Sequence, residues 1–99
     1  MNINEYREKI DEIDDKIVGL FCERMKLCID IADYKYEKNL PILDFEREKN
    51  KLKSVTKNAP DEYHDAIREL YAKIFEISRS AEERHIKSGK SDKTSEIKR

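Results

Sequence analysis

The chain has 99 residues, 43% of them charged, yet its formal net charge is only −1, so acidic and basic side chains are interspersed rather than gathered in blocks. That length allows one small domain, and the lack of a strongly basic face argues against a nucleic-acid partner. No apolar signal core opens the N-terminal MNINEYREKIDEID and no window approaches a membrane span, so the expectation is a soluble, cytoplasmic protein with no membrane partner.

With two Gly and two Pro in the whole chain, few turns are available, which suits an all-α fold of a few long helices. The first helix is expected to start near Asn2 or Asn4, either of which can cap it, and to end before the turn at Asn39–Pro41. Ile3, Tyr6, Ile10, Ile13, Ile17, Leu20, Arg24, Leu27, Ile31 and Tyr34 alternate spacings of three and four, the seam of a long helix with heptad character. Arg24 is the exception in that row, because a guanidinium on a buried seam is costly unless an anion meets it. One residue further on runs a second column of Arg7, Asp14, Phe21, Cys28 and Lys35. It widens the apolar face and sets cations at both ends. Cys22 and Cys28 lack metal-ligand spacing and lie far from His64 and His85, so they read as packing thiols in a reducing compartment, with no metal site.

Asp44 stands where an N-cap belongs, opening a shorter helix through about Val55. Phe45, Glu48, Leu52 and Val55 share one face of it, so Glu48 is again a charge in an apolar row. TKNAPDE breaks the chain, and Pro60 suits the first turn of a third helix from about Asp61 to Lys87. Its seam is Tyr63, Ile67, Leu70, Ile74, Ile77 and Ala81, flanked by Tyr71 and Ser78, with Glu82 one turn beyond Ser78. Residues 88–99, SGKSDKTSEIKR, have no periodicity and read as a disordered tail or linker stub after a helical domain over residues 1–87.

Helices of such unequal length cannot cover one another within one chain, so the expected architecture is an intertwined homodimeric bundle. Arg24 and Lys35, eleven residues apart, point the same way at about 16 Å along the helix, leaving room for a small dicarboxylate. Arg7 lies about 40 Å up the same helix, out of reach of that gap, but an antiparallel partner helix can bring its own copy there. Two readings remain open for Arg24: an ion pair with Glu48 or Glu82 that fixes register, or a ligand's anion.

These residues resemble the all-helical class of chorismate mutases, through YREKIDEIDDKIVGLFCERMKL, IADYKYEKNLPILDFEREK and the weaker IFEISRSAEE, over roughly residues 4 to 87. The resemblance implies the pericyclic rearrangement of chorismate to prephenate in phenylalanine and tyrosine synthesis, in a dimer with shared active sites and no cofactor. It implies that Arg24 and the partner subunit's Arg7 clamp the two carboxylates of chorismate and that Lys35 donates to the ether oxygen. Glu48, with the backbone near Asp44, would hold the ring hydroxyl, Ser78 would lie by the ring carboxylate, and Arg47 would stand behind them. Glu82 departs from many bacterial members, which have Gln there, and agrees with fungal-type relatives. An ionised Glu has no proton to donate, so Glu82 is expected to act on the ether oxygen only when protonated. An isochorismate-pyruvate lyase of the same fold is the nearest rival, although its relatives lack the acidic pair found here as Asp44 and Glu48. A non-enzymatic helical dimerisation module is the alternative from another class.

Overall fold

In the computed structural model, the described backbone covers residues 1–97 and the described side chains residues 1–89. The fold is all-α: α1 spans Ile3–Glu37, α2 spans Phe45–Lys57, and a 3₁₀ turn at Asp61–Tyr63 leads into α3, His64–Ile97. Asn2 starts α1 from an extended backbone, its side-chain oxygen accepting from the Glu5 amide at 3.0 Å. That hydrogen bond satisfies one of the otherwise unpaired first-turn donors, and Glu5 adds a favourable negative charge there.

The other end of α1 is closed by the turn expected at Asn39. Asn39 takes a positive φ of 57°, the left-handed conformation that Asn tolerates better than most residues. The Leu40 amide then bonds Lys35 O at 2.8 Å and the Asn39 amide bonds Tyr36 O at 3.2 Å. This pair of bonds is a Schellman stop, and Pro41 follows where a proline prevents the helix from continuing. Asp44 caps α2 as expected, accepting from the Arg47 amide at 3.0 Å. Pro60 precedes the 3₁₀ turn and its carbonyl accepts from Tyr63 N at 3.0 Å, so the third helix opens with a tighter turn than expected. No proline follows in the sequence to stop α3, and its backbone is helical through Ile97, ten residues beyond the expected end at Lys87. The expectation of a disordered or linker-like tail over 88–99 falls mostly outside the residues whose side chains are described.

At 35 residues, α1 is about 52 Å long, and the radius of gyration of 18.0 Å is well above the roughly 13 Å of a compact chain of this size. Only the C-terminal half of α1 meets the other helices. Phe21, Met25, Cys28, Ala32 and Lys35 are the partly or fully buried side of it, and Ala32 is completely covered. On α3 the matching face is Tyr71, Phe75, Ser78 and Glu82, with Tyr71 and Phe75 packed edge to face at 5.9 Å.

Neither inward face is the apolar row that periodicity singles out. On α1 the expected seam is the column beside the buried one, and its nine hydrophobic members stay about half to two-thirds exposed, from Ile31 at 47% to Leu20 at 64%. On α3, Leu70 is likewise 57% exposed. Between these rows lies an apolar groove of about 360 Å³ with Ile17, Leu20, Phe21, Ile74 and Ile77 on its walls. Among the described residues no helix is long and apolar enough to cross a membrane.

Candidate active site

The C-terminal half of α1, the first two turns of α2 and the middle of α3 enclose an open-sided cavity of about 230 Å³. Six of the seven residues expected to bind or react line it: Arg24 and Lys35 from α1, Asp44 and Glu48 at the start of α2, and Ser78 and Glu82 from α3. Arg7 does not. It lies on the exposed first turns of α1, about 40 Å along the helix from Lys35.

Each wall is fixed by the elements that carry it. Arg24 donates from Nη1 to Ser78 Oγ at 2.8 Å, joining α1 to α3, with Cys28 Sγ beside the same nitrogen at 3.6 Å. Among the described residues, Arg24 bonds Ser78 rather than pairing with Glu48, whose ion-pair partner is Arg79. Lys35 reaches past the end of α1 and donates from Nζ to Ile42 O at 2.7 Å, which holds the connection to α2 over the cavity. Asp44 spends its carboxylate on the cap of α2, and the cap sets where Arg47 and Glu48 leave the helix. One turn beyond Glu82, His85 Nε2 lies 2.7 Å from Asp33 Oδ1 and ties α3 to α1 a second time.

Sequence reasoning passed over one residue of this cavity that makes a strong contact. Arg79 approaches both oxygens of Glu48 through Nη1, at 2.6 and 2.5 Å. It lies one position off the flanking row and looks like an ordinary solvated helix charge. The available signal was its spacing, four residues after Phe75 and three before Glu82, which puts it on the buried face of α3.

Electrostatically the cavity is cationic. Arg24, Lys35, Arg47, Lys51 and Arg79 line it against the carboxylates of Asp44, Glu48 and Glu82, a surplus of two positive charges in a chain that is net negative. Glu82 is buried, at 6% exposure, and burial pushes its carboxyl above the ordinary glutamate range. Lys35 and Arg24 pull in the opposite direction, Glu48 reinforces the rise, and Arg79 opposes it. A buried carboxyl with a raised pKa among cations is a candidate proton or hydrogen-bond donor. Among the described residues, no three His, Cys, Asp or Glu side chains gather as a metal site.

The cavity thus combines cations from all three helices with one buried carboxyl whose pKa is raised. Comparison with known proteins gives the chain a family. The sequence matches the type II chorismate mutase family over residues 6–83, and the chain belongs to that family. It is 41% identical over 73 residues to a chorismate mutase of Methanocaldococcus jannaschii, covering 74% of this chain and 72% of that protein. Bifunctional chorismate mutase/prephenate dehydratases are also similar: 37% identity for one from Buchnera aphidicola subsp. Acyrthosiphon pisum and 31% for one from Aquifex aeolicus. Each match covers 83% of this chain but only 22% and 24% of those longer proteins. No solved structure gives a significant match.

Proposed function

We propose that this chain is a chorismate mutase, an isomerase converting chorismate to prephenate, and that two copies share each active site. The rearrangement is intramolecular: the ether C–O bond breaks as a new C–C bond forms between the enolpyruvyl group and the ring. It needs no cofactor and no covalent intermediate. The protein's task is to hold the side chain over the ring and to stabilise negative charge growing on the ether oxygen. The observation that carries this reading is the convergence of Arg24, Lys35, Glu48, Ser78 and Glu82 on one cavity whose cations outnumber its carboxylates, the sign of charge that a dicarboxylate requires.

In this reading Arg24, already bonded to Ser78, takes one carboxylate at the α1–α3 wall. Lys35 Nζ, held over the cavity by Ile42 O, donates to the ether oxygen. Protonated Glu82 donates to the same oxygen, which its burial and raised pKa favour. Glu48 receives the ring hydroxyl, with Asp44 fixing the start of α2. The second carboxylate falls to the partner's Arg7, since this chain's own copy is too distant. The stripe from Ile3 to Tyr34, exposed in the single chain, is the surface that an intertwined partner would cover.

The acidic pair Asp44 and Glu48, both at the cavity, and the family match favour the mutase over an isochorismate-pyruvate lyase. The bifunctional relatives couple the mutase to a prephenate dehydratase, which supports a role in aromatic amino acid synthesis. The absence of a membrane-spanning helix among the described residues is compatible with the cytoplasmic location expected from sequence. An absorbance assay for loss of chorismate, with isochorismate in parallel, tests the reading. Chorismate should be consumed without pyruvate release, and Lys35→Ala should lower kcat about 10²–10³-fold. No chorismate turnover, or turnover unaffected by Lys35→Ala, would refute it.

A further inference from the structure

Arg79 is one of three cavity cations, with Arg47 and Lys51, that have no part in the chemistry above, and it makes the closest polar contact there. Its side chain is 31% exposed, that of Glu48 is 23%, and one terminal nitrogen meets both carboxylate oxygens. Glu48 projects from the first turn of α2 into the cavity, while Arg79 comes from α3 between Phe75 and Glu82. A carboxylate in that place has one fault as a receiver for a neutral hydroxyl: it can swing toward Arg47 or Lys51 on its own helix, which line the same cavity. A guanidinium nitrogen gripping both oxygens from another helix removes that fault.

We infer that Arg79 is a positioning residue for this reaction, acting through Glu48 by holding that carboxylate in place and turned toward the ring hydroxyl of the substrate. The inference rests on the mutase reading of the site. Arg79 itself does not touch the substrate. Its charge counts in the cavity surplus, but its contact is with the receiving group. A lysine at this position keeps the charge on a terminal nitrogen but not the guanidinium's rigid placement of it, so it retains part of the effect. A hydrogen bond held in the ground state and the transition state alike lowers KM more than it raises kcat, so loss of the positioning should appear mainly in KM.

The experiment is a kinetic cycle with the full chain and chorismate: wild type, R79Q, E48Q, the double variant and R79K. R79Q should lower kcat/KM about 10- to 100-fold, chiefly through KM, as expected for a lost charged hydrogen bond behind a contact group. R79K should recover part of that loss. In the E48Q background the same R79Q change should cost less than about threefold, because the group it positions has been replaced. If wild type does not turn over chorismate, the proposed reaction fails, whatever the variants do. If wild type is active and R79Q is unimpaired, or costs as much with E48Q as without it, the inference about Arg79 fails while the reaction stands. Should R79Q not fold, as judged by circular dichroism, R79K with and without E48Q closes the same cycle.

Discussion

The shared site can be tested by mixing two inactive proteins. Arg7→Ala removes the cation that, in the proposed dimer, this chain would lend to its partner, and Arg24→Ala removes the one in its own cavity. Arg24 lines the cavity beside Ser78, while Arg7 lies on exposed turns of α1 away from it. A same-chain contact would have to bridge about 40 Å from Arg7 to Lys35, several times the reach of an arginine. Each variant alone should therefore be crippled by about 10²-fold or more, having lost a charged clamp at every site. After the two are mixed and exchanged at equal concentration, half of the dimers are mixed on statistical grounds. In a mixed dimer, one of the two sites draws Arg24 from one subunit and Arg7 from the other and is intact, while the second site lacks both. The expected recovery is about a quarter of wild-type activity, read as loss of chorismate absorbance. Because the unmixed variants serve as their own baseline, a recovery of that size cannot come from residual activity. If mixing restores nothing although native mass spectrometry detects heterodimers, the two arginines do not serve one site from opposite subunits.

Other predictions follow from particular contacts. Leu20→Glu places a charge in the exposed stripe of α1, where Leu20 is 64% exposed and should be nearly harmless to a single chain. In a dimer the same charge would be buried at a cost of several kcal/mol, so sedimentation should report a shift to monomer together with loss of activity. The chorismate rate should fall as pH rises through the elevated pKa of Glu82, by about tenfold per unit beyond it, and Glu82→Gln should flatten that limb. A wild-type rate independent of pH counts against donation by Glu82. Stability follows the same residue with a fixed sign. A folded pKa above the unfolded value, about 4.3, means the native state holds the extra proton in that window, so stability falls as pH rises across it. Glu82→Gln should thus raise Tm above the window and leave it unchanged below, as thermal melts at pH 3.5 and pH 8 would show. Asp44→Ala removes the cap of α2 and should cost about 1 kcal/mol, a fall in Tm of about 4–8 °C for a domain of this size.

Local signals carried most of the secondary structure. Asn2, Asn39, Pro41 and Asp44 act at the helix ends where their side-chain chemistry says they should. The site was legible for a related reason: Arg24, Glu48 and Glu82 are charges on apolar faces, and such positions are retained only where something offsets the charge. Other features depend on packing that no single row of residues reports. Two adjacent columns of α1 are both apolar, and periodicity cannot say which one the chain covers itself. The structure turns the Phe21–Cys28–Lys35 column inward and leaves the longer, greasier one outside. Arg79 was missed because its value depends on Glu48 arriving from another helix, which spacing within α3 does not reveal.

The two exposed features of the single chain are linked by geometry. The apolar stripe runs the length of α1, and covering its nine hydrophobic side chains returns about 1 kcal/mol each, since each is already near half covered. Doubled over two chains, that exceeds the roughly 4–15 kcal/mol that association costs, so covering the stripe favours pairing. An antiparallel pairing of that stripe runs the first turns of one α1 alongside the last turns of the other, the region where Lys35 faces the cavity. In the proposed dimer, the pairing that buries the stripe would therefore be the pairing that brings Arg7 to a neighbouring site. Stability of that assembly and completion of its active site would then follow from one contact, so a charge placed along the stripe should remove both together.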